Sequence, residues 1–383
     1  MLDIAPALRR LLDRASSLCP DELGALVGDA ARDVGFDGAV VHLVDHEQGA
    51  LHALPPADPG PPVPIDGTMA GRVFASSTPQ AGQQAAQLWV PLLDGTDRLG
   101  VLELAGADGS EDRLATAQLL ASVIAQLLVA KTNYTDTFKL VRRTRPMTIG
   151  ADLVWDLLPP QSLTAADMTV AAVLAPAYDL GGDAYDYAVS GRTADFAIFD
   201  AMGHGTPASL LATLTLATYR HARRAGLSLP SVAERLDEAL AAVFPDNFVT
   251  GHLGRLDLDT GRLELLNAGH HLPMVVRRGR VIDGPDVPAR VPLGLGPAGE
   301  AQEMIPLEPG DRVLFFTDGV IEAHARGEEG YGRDRLAAAL EREAASGLPT
   351  SETLRRLSRA VLSHLGDRLR DDATLLMVQW EQG

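Results

Sequence analysis

Four short acidic motifs in the second half of the chain constrain its fold more than any other feature. They are Gly181-Gly182-Asp183 followed by Tyr185-Asp186, Asp200 in DAMGHG, Asp318 in FFTDG, and Asp371-Asp372 in RDDATLLMV. An Asp-Gly after a strand is by itself most often a turn. Three of these motifs follow an apolar, β-rich run and the fourth precedes one, with long stretches of chain between them. Together they point to a sheet scaffold whose strand ends bring sequence-distant carboxylates to one place. Carboxylates without thiolates, and without regular histidine spacing, make a hard oxygen-donor site suited to magnesium or manganese rather than zinc. Two such ions about 3.5 to 4 Å apart can ready a water and clamp phosphoryl oxygens, the recurring arrangement for phosphate-ester hydrolysis.

The residues around the motifs agree with such a scaffold. Runs at 169–174, 193–199, 254–258, 262–266, 313–316 and 373–380 read as strands, and 207–225, 231–244, 333–345 and 351–365 as helices. Strands grouped around paired helices predict an α+β sandwich with helices covering stacked sheets. Gly181, Gly182, Gly203 and Gly205 allow positive φ or close backbone approach, and the turn after Asp200 leaves the Ala201 carbonyl able to serve as a further oxygen ligand. A glycine-rich loop entering a helix could also hold a phosphate, but GHG fits neither GxGxxG nor GxxxxGK.

At 383 residues the chain exceeds one average domain. Residues 21–35 repeat apolar side chains at helical steps, 38–44 and 51–54 read as strands, 67–77 as a short helix, 88 onward and 99 onward as a hairpin, and 111–131 as a closing helix. That order predicts a small α+β sensory domain over 1–131; the change of character after it reads as a helical linker over 132–160, and the strand-rich remainder, 161–383, as a second domain. The linker carries a basic cluster, Arg142, Arg143 and Arg145, then an apolar stripe of Leu153, Trp155, Leu157 and Leu158. Such a stripe is either packed inside the monomer or forms a dimer seam. Pro146 interrupts any single long helix there.

Composition narrows the partners. A formal charge of −18 repels phosphate backbones and anionic lipid, so neither nucleic acid nor a membrane is expected. The single cysteine, Cys19, excludes an internal disulfide and a thiolate metal cluster. The opening MLDIAPALRR lacks the pattern of a signal peptide, and the apolar stretch 115–130, interrupted by Gln118, Ser122 and Gln126, reads as too short and too polar to span a bilayer. The expectation is a cytoplasmic protein.

At LGGDAYD (180–186), DAMGHG (200–205), FVTGHLGRLDLDTGRLELLNAGHHLP (248–273), PLGLG (292–296), LEPGDRVLFFTDGVIEA (307–323) and DDATLL (371–376), the sequence resembles the SpoIIE and RsbU branch of the PPM metal-dependent serine/threonine phosphatases, also called protein phosphatase type 2C. The resemblance implies a β-sandwich flanked by helices, two Mn2+ or Mg2+ ions and hydrolysis of phosphoserine or phosphothreonine on a protein. It implies catalytic roles for Asp200, Asp318 and Asp371: Asp200 bridges the metals beside the Ala201 carbonyl, Asp318 and Asp371 complete the first metal, and Asp183 helps hold the second. His204, Asp186 and Asp372 are the substrate-side candidates, His204 as a loop-ordering or substrate-side hydrogen-bonding residue ahead of a general acid. In NAGHHLP the turn chemistry favours a structural role for His270. Two departures stand out: Ala184 where the family often has an aromatic residue, and no arginine early in the domain to grip phosphate.

The first half resembles a GAF domain through DELGALVGDAARDVGFDGAVVHLVD (21–45), VPIDGTMAGRVFASSTPQ (63–80) and LWVPLLDGTDRLGVLEL (88–104). That implies a small-molecule ligand or dimerisation. Cys19 lies before the domain core, against a covalent bilin, and His42, His46 and His52 read as strand or surface positions rather than haem ligands. Together the resemblances imply a regulated phosphatase that forms a homodimer through 111–160 and acts on a phosphorylated anti-sigma-factor antagonist in a partner-switching pathway. The alternative is a catalytically silent scaffold that sequesters a partner. Such a scaffold has no chemical need to keep every acidic position. A nuclease or phosphodiesterase on the same two-metal logic is disfavoured by the acidic balance.

Overall fold

The computed structural model describes residues 4–55, 60–82, 86–107, 109–165, 167–175, 178–179, 181–282, 287–296, 302–321, 331–365 and 372–381. The chain divides into two compact units, Met1–Pro146 and Met147–Gly383. The boundary falls inside the stretch expected as a linker.

The first unit runs α1 (Ala5–Ser17), α2 (Leu23–Asp33), β1 (Gly38–Val44), β2 (Ala50–Ala53), β3 (Val63–Pro64), α3 (Met69–Ser76), β4 (Gln80–Ala81), β5 (Gln87–Asp94), β6 (Asp97–Ala105), α4 (Glu111–Thr132) and α5 (Thr137–Arg142). Its sheet has the order β3-β2-β1-β6-β5-β4. Alternation along β1 sends Val41 and Leu43 to the face covered by α1, α2 and α4, and Val44 to the face covered by α3 through Val73 and Phe74. On the α3 side, the His42 ring nitrogen Nε2 lies 2.9 Å from Glu103. Helix α1 escaped the sequence reading, yet Ala7, Leu11 and Ala15 form its buried stripe at four-residue steps.

Helix α4 corrects one expectation. It runs 22 residues, and by length and composition it is long and apolar enough to cross a membrane. The polar interruptions Gln118, Ser122 and Gln126 all fall on one exposed stripe. The opposite stripe of Ala117, Leu120, Ala121, Ile124 and Leu128 is buried in the core of the first unit. Spacing of four residues gathers the polar side chains on one face, so they shorten no apolar run.

The second unit opens with α6 (Ile149–Leu157), β7 (Ser162–Ala165), β8 (Met168–Ala175), β9 (Asp183–Ser190), β10 (Thr193–Ala201), α7 (Thr206–Arg224) and α8 (Leu229–Val243). It continues through β11 (Val249–Asp257), β12 (Arg262–Ala268), β13 (Met274–Arg277), β14 (Arg280–Ile282), β15 (Gln302–Pro306), β16 (Arg312–Phe316), α9 (Asp318–Ile321), α10 (Gly332–Ala344), α11 (Thr350–Leu365) and β17 (Ala373–Trp380). Two antiparallel sheets result, β15-β12-β11-β10-β9 and β14-β13-β16-β17-β8-β7. Their inner faces share one core, in which Phe196 meets Phe315 at 5.3 Å between ring centroids. Alternation then fixes the outer faces. Ala197, Phe199 and Ala201 carry α7 and α8, while Leu314, Phe316 and Leu375 carry α10 and α11. The expected sandwich of stacked sheets flanked by helices is what the second unit forms.

Three of the four residues in the expected apolar stripe pack within this unit. Trp155 and Leu158 lie against the inter-sheet core, and Leu157 and Leu158 against the core under α7 and α8.

Candidate metal centre

Strand pairing builds the centre. Asp183 opens β9 and stands directly opposite Asp200 of β10, which in turn stands opposite Thr250 of β11. Residues opposite one another in antiparallel strands share a face. Asp200 has the parity of Phe196 and Ile198, so this row points between the two sheets. The other sheet supplies Asp372 just before β17. One of its carboxylate oxygens accepts the Gly181 N–H at 2.7 Å and the Asp183 N–H at 3.2 Å. Thr317, which follows β16, donates to Asp183 Oδ2 at 2.7 Å and accepts the Thr374 N–H at 2.9 Å. Asp318 begins α9 immediately after Thr317.

Close backbone approach holds the segments together. A Cβ on Gly182 would lie 2.1 Å from the Ala201 carbonyl oxygen, and one on Gly319 would lie 1.9 Å from the Asp372 carbonyl oxygen. Both obstructing atoms are backbone, so no side-chain rotation relieves the clash. Gly319→Ala should therefore push the Asp318 turn away from Asp372. The expected result is a folded or partly folded protein with at least about 10-fold weaker Mn2+ binding, by analogy with outer-shell lesions. Calorimetric titration measures it, and unchanged binding would show that the turn is not tied to the centre.

Asp183 is buried, and its carboxyl is held well above the ordinary carboxylate range, first by burial, then by the charges of Asp200 and Asp372; the hydroxyls of Thr374 and Thr317 pull the other way. This environment fits a hard divalent cation. The donors are all oxygen, and a bound cation would relieve the mutual repulsion of the carboxylates. Among the described residues, no three His, Cys, Asp or Glu side chains stand at metal-holding distances.

The structure therefore brings Asp183, Asp200 and Asp372 together, with Asp318 adjoining through its turn. The Ala201 carbonyl lies beside Gly182. Asp371 lies outside the described residues. His204 is exposed on the loop whose backbone passes Gly181, between Gly203 and Gly205 at φ +96° and +70°.

Asp186 does not join the centre. Three residues beyond Asp183 on β9, it faces the helix layer, where it is almost fully buried and paired with Arg220 at 2.7 Å and Arg223 at 2.9 Å. Arg220 also donates to the Leu157 carbonyl at 2.6 Å. Reading GGDAYD as a strand end obscured this, because alternation separates positions 183 and 186 only once β9 is recognised as a strand.

Thr317, Thr374, Thr250 and Ser209 escaped the sequence reading. Ser209 on α7 donates to the Gly181 carbonyl at 2.8 Å and so fixes the segment that holds Asp372. For Thr317 and Thr374 the available signal was a polar residue beside an acidic motif; Thr250, in FVTGHL, had no such neighbour.

Behind Thr250 lie two buried histidines. His252 donates through Nε2 to the His271 carbonyl at 2.8 Å, and burial lowers its pKa to about 4. Burial likewise holds His270 well below the usual range. In the unfolded chain a histidine titrates near 6.5. The folded state thus excludes protons that the unfolded state binds, and stability present above about pH 6.5 is lost as the pH falls toward 4. For His252 alone the span corresponds to roughly 3 kcal/mol. Thermal unfolding between pH 8 and 4.5 should show the loss. His252→Gln, which can keep the bond to His271, should flatten it. An equally steep profile in that variant would assign the acid sensitivity elsewhere.

Two stacked antiparallel sheets with helices on both outer faces and carboxylates converging at one end define the class of the second unit. The family model for Stage II sporulation protein E (SpoIIE) matches residues 190–381, half of the chain, and the protein belongs to that family. It is similar to phosphoserine phosphatase RsbU of Bacillus subtilis, with 24% identity over 60% of this chain and 69% of RsbU. Protein IcfG of Synechocystis shares 26% identity over 34% of this chain but only 20% of its own length. Among solved structures, the RsbU and RsbW domains of Rv1364c from Mycobacterium tuberculosis align with a TM-score of 0.49 and 26% identity, covering 58% of this chain and 62% of that one.

Proposed function

We propose that the second unit is a metal-dependent protein serine/threonine phosphatase and that the first is a GAF-type sensory domain regulating it. The observation that carries this reading is the convergence of Asp183, Asp200 and Asp372 from separate segments at one end of the sandwich. Membership of the SpoIIE family supports it, as does similarity to a protein named for phosphoserine phosphatase activity.

Asp200, with Asp318, Asp183 and the Ala201 carbonyl, would hold two Mn2+ or Mg2+ ions, and the family resemblance adds Asp371. When bound, the ions supply Lewis-acid charge for attack of water on phosphorus. Thr317 and Asp372 orient the donors: one fixes the Asp183 carboxylate, the other fixes the Gly181–Asp183 backbone. Asp186 serves the fold rather than the substrate.

The substrate we infer is a phosphorylated anti-sigma-factor antagonist in a partner-switching pathway in the cytoplasm. A homodimer through 111–160 is part of the same reading, supported by the exposed Leu119, Tyr134, Leu140 and Ile149. The test is release of inorganic phosphate from a serine-phosphorylated protein of that class, with Mn2+ and with chelator. Mn2+-dependent release is expected. Release that persists in chelator would remove the metal-dependent mechanism, and no release from any phosphoserine protein while Mn2+ binds would favour the silent scaffold.

A further inference from the structure

The row of polar side chains across β9, β10 and β11 does not end at Thr250. Its hydroxyl lies 2.9 Å from His270 Nδ1, and His270 comes from the loop after β12. We propose that His270 is a positioning residue for the carboxylate centre, acting through Thr250 on Asp200. This rests on the reading of the centre as a metal site.

The turn that carries the imidazole is held from several directions, while the ring's Nε2 has no hydrogen-bond partner among the described residues. The Asn267 side chain accepts the His270 backbone N–H at 2.7 Å, so the Asn of NAGHH staples the turn. The His252 ring meets His270 edge-on at 5.4 Å between centroids, and His252 itself grips the His271 carbonyl. Gly269 turns at φ +69° with the Pro292 ring against it. His270 is 8% exposed, so a ring there that served only to fill space could be apolar. An imidazole nitrogen instead reaches the one hydroxyl that stands opposite Asp200. A threonine is stiff at χ1, but its hydroxyl can divide between rotamers according to the hydrogen bond it makes. The hydrogen bond selects one rotamer and fixes the polar surface beside the carboxylate, in the way outer-shell partners orient metal ligands.

The chemistry predicts a specific pattern of substitutions. Asn places a polar atom where His carries Nδ1, whereas Gln places it at the Nε2 end. Mn2+ affinity, read by calorimetry on the full chain, is expected to fall by about 10- to 100-fold in His270→Ala, His270→Gln and Thr250→Val. His270→Asn should stay within about threefold of the unaltered protein. Thr250→Val combined with His270→Ala should be no worse than either alone, because both remove one interaction. Circular dichroism and thermal unfolding confirm that each variant is folded; an unfolded His270→Ala leaves the Asn, Gln and Thr250→Val comparison to decide. Folded variants with undiminished Mn2+ affinity, additive losses, or failure of Asn to exceed Gln overturn the proposal. Absence of Mn2+ binding by the unaltered protein overturns the metal-site reading itself, and this inference with it.

Discussion

Asp200→Asn should abolish Mn2+ binding and phosphate release while leaving the metal-free protein at least as stable as the parent. Asn keeps the shape of the side chain and removes its charge. Outer-shell partners typically cost 10- to 100-fold in metal affinity, so loss of a central donor should cost more than about 100-fold. The stability arm has a definite sign. In the metal-free protein Asp200 destabilises the charged form of its cross-strand neighbour Asp183, and removing that charge relieves the repulsion. Calorimetric titration, phosphate release and thermal unfolding in chelator read the three quantities. Mn2+ affinity within threefold of the parent would remove Asp200 from the centre. A large loss of metal-free stability would show that Asp200 is a structural anchor instead.

Asp186→Ala is expected to produce the largest loss of stability. The side chains of Arg220 and Arg223 are only 19% and 11% exposed, and both depend on Asp186, which is 2% exposed. Removing one partner of a buried ion pair costs about 3–5 kcal/mol, because the remaining charge is left uncompensated. A domain of about this size shifts by about 2–4 °C per kcal/mol, so the midpoint should fall by on the order of 6–20 °C. Replacing Asp186, Arg220 and Arg223 together by apolar residues of similar volume should recover most of the loss. Mn2+ affinity measured below the midpoint should change little, since Asp186 lies on the opposite face of β9 from Asp183. A variant with an unchanged midpoint and impaired turnover would return Asp186 to the substrate side.

The two variants mark how far the sequence could be read. The hairpin around Asp259-Thr260-Gly261, the strand ending at Asp200 and the helices after it follow from alternation, turn residues and helical spacing, all of which act over a few positions. That Asp183 and Asp200 matter was legible because each sits in a glycine-marked motif beside an apolar run, and the structure sets the two opposite each other. Thr250 lies in an apolar run and His270 in the turn after the next strand, and nothing local announces that they touch. His270 read as turn chemistry, which Asn267 and Gly269 do supply, and its contact with Thr250 became visible only when β11 and β12 paired.

By itself, the sequence determined the α+β sandwich class and the acidic motifs at its strand ends. Only the tertiary structure decided which carboxylates meet. Asp372 accepts the N–H of Gly181 across 191 positions, and Thr317 reaches Asp183 across 134. It also decided that Asp186 belongs to the helix layer. The reason is physical. Periodicity reports which face of its own strand a side chain takes, whereas a contact between strands of different sheets depends on how two buried faces stack. That stacking is set by the packing of the whole core, in which Phe196 and Phe315 meet, and no short segment encodes it.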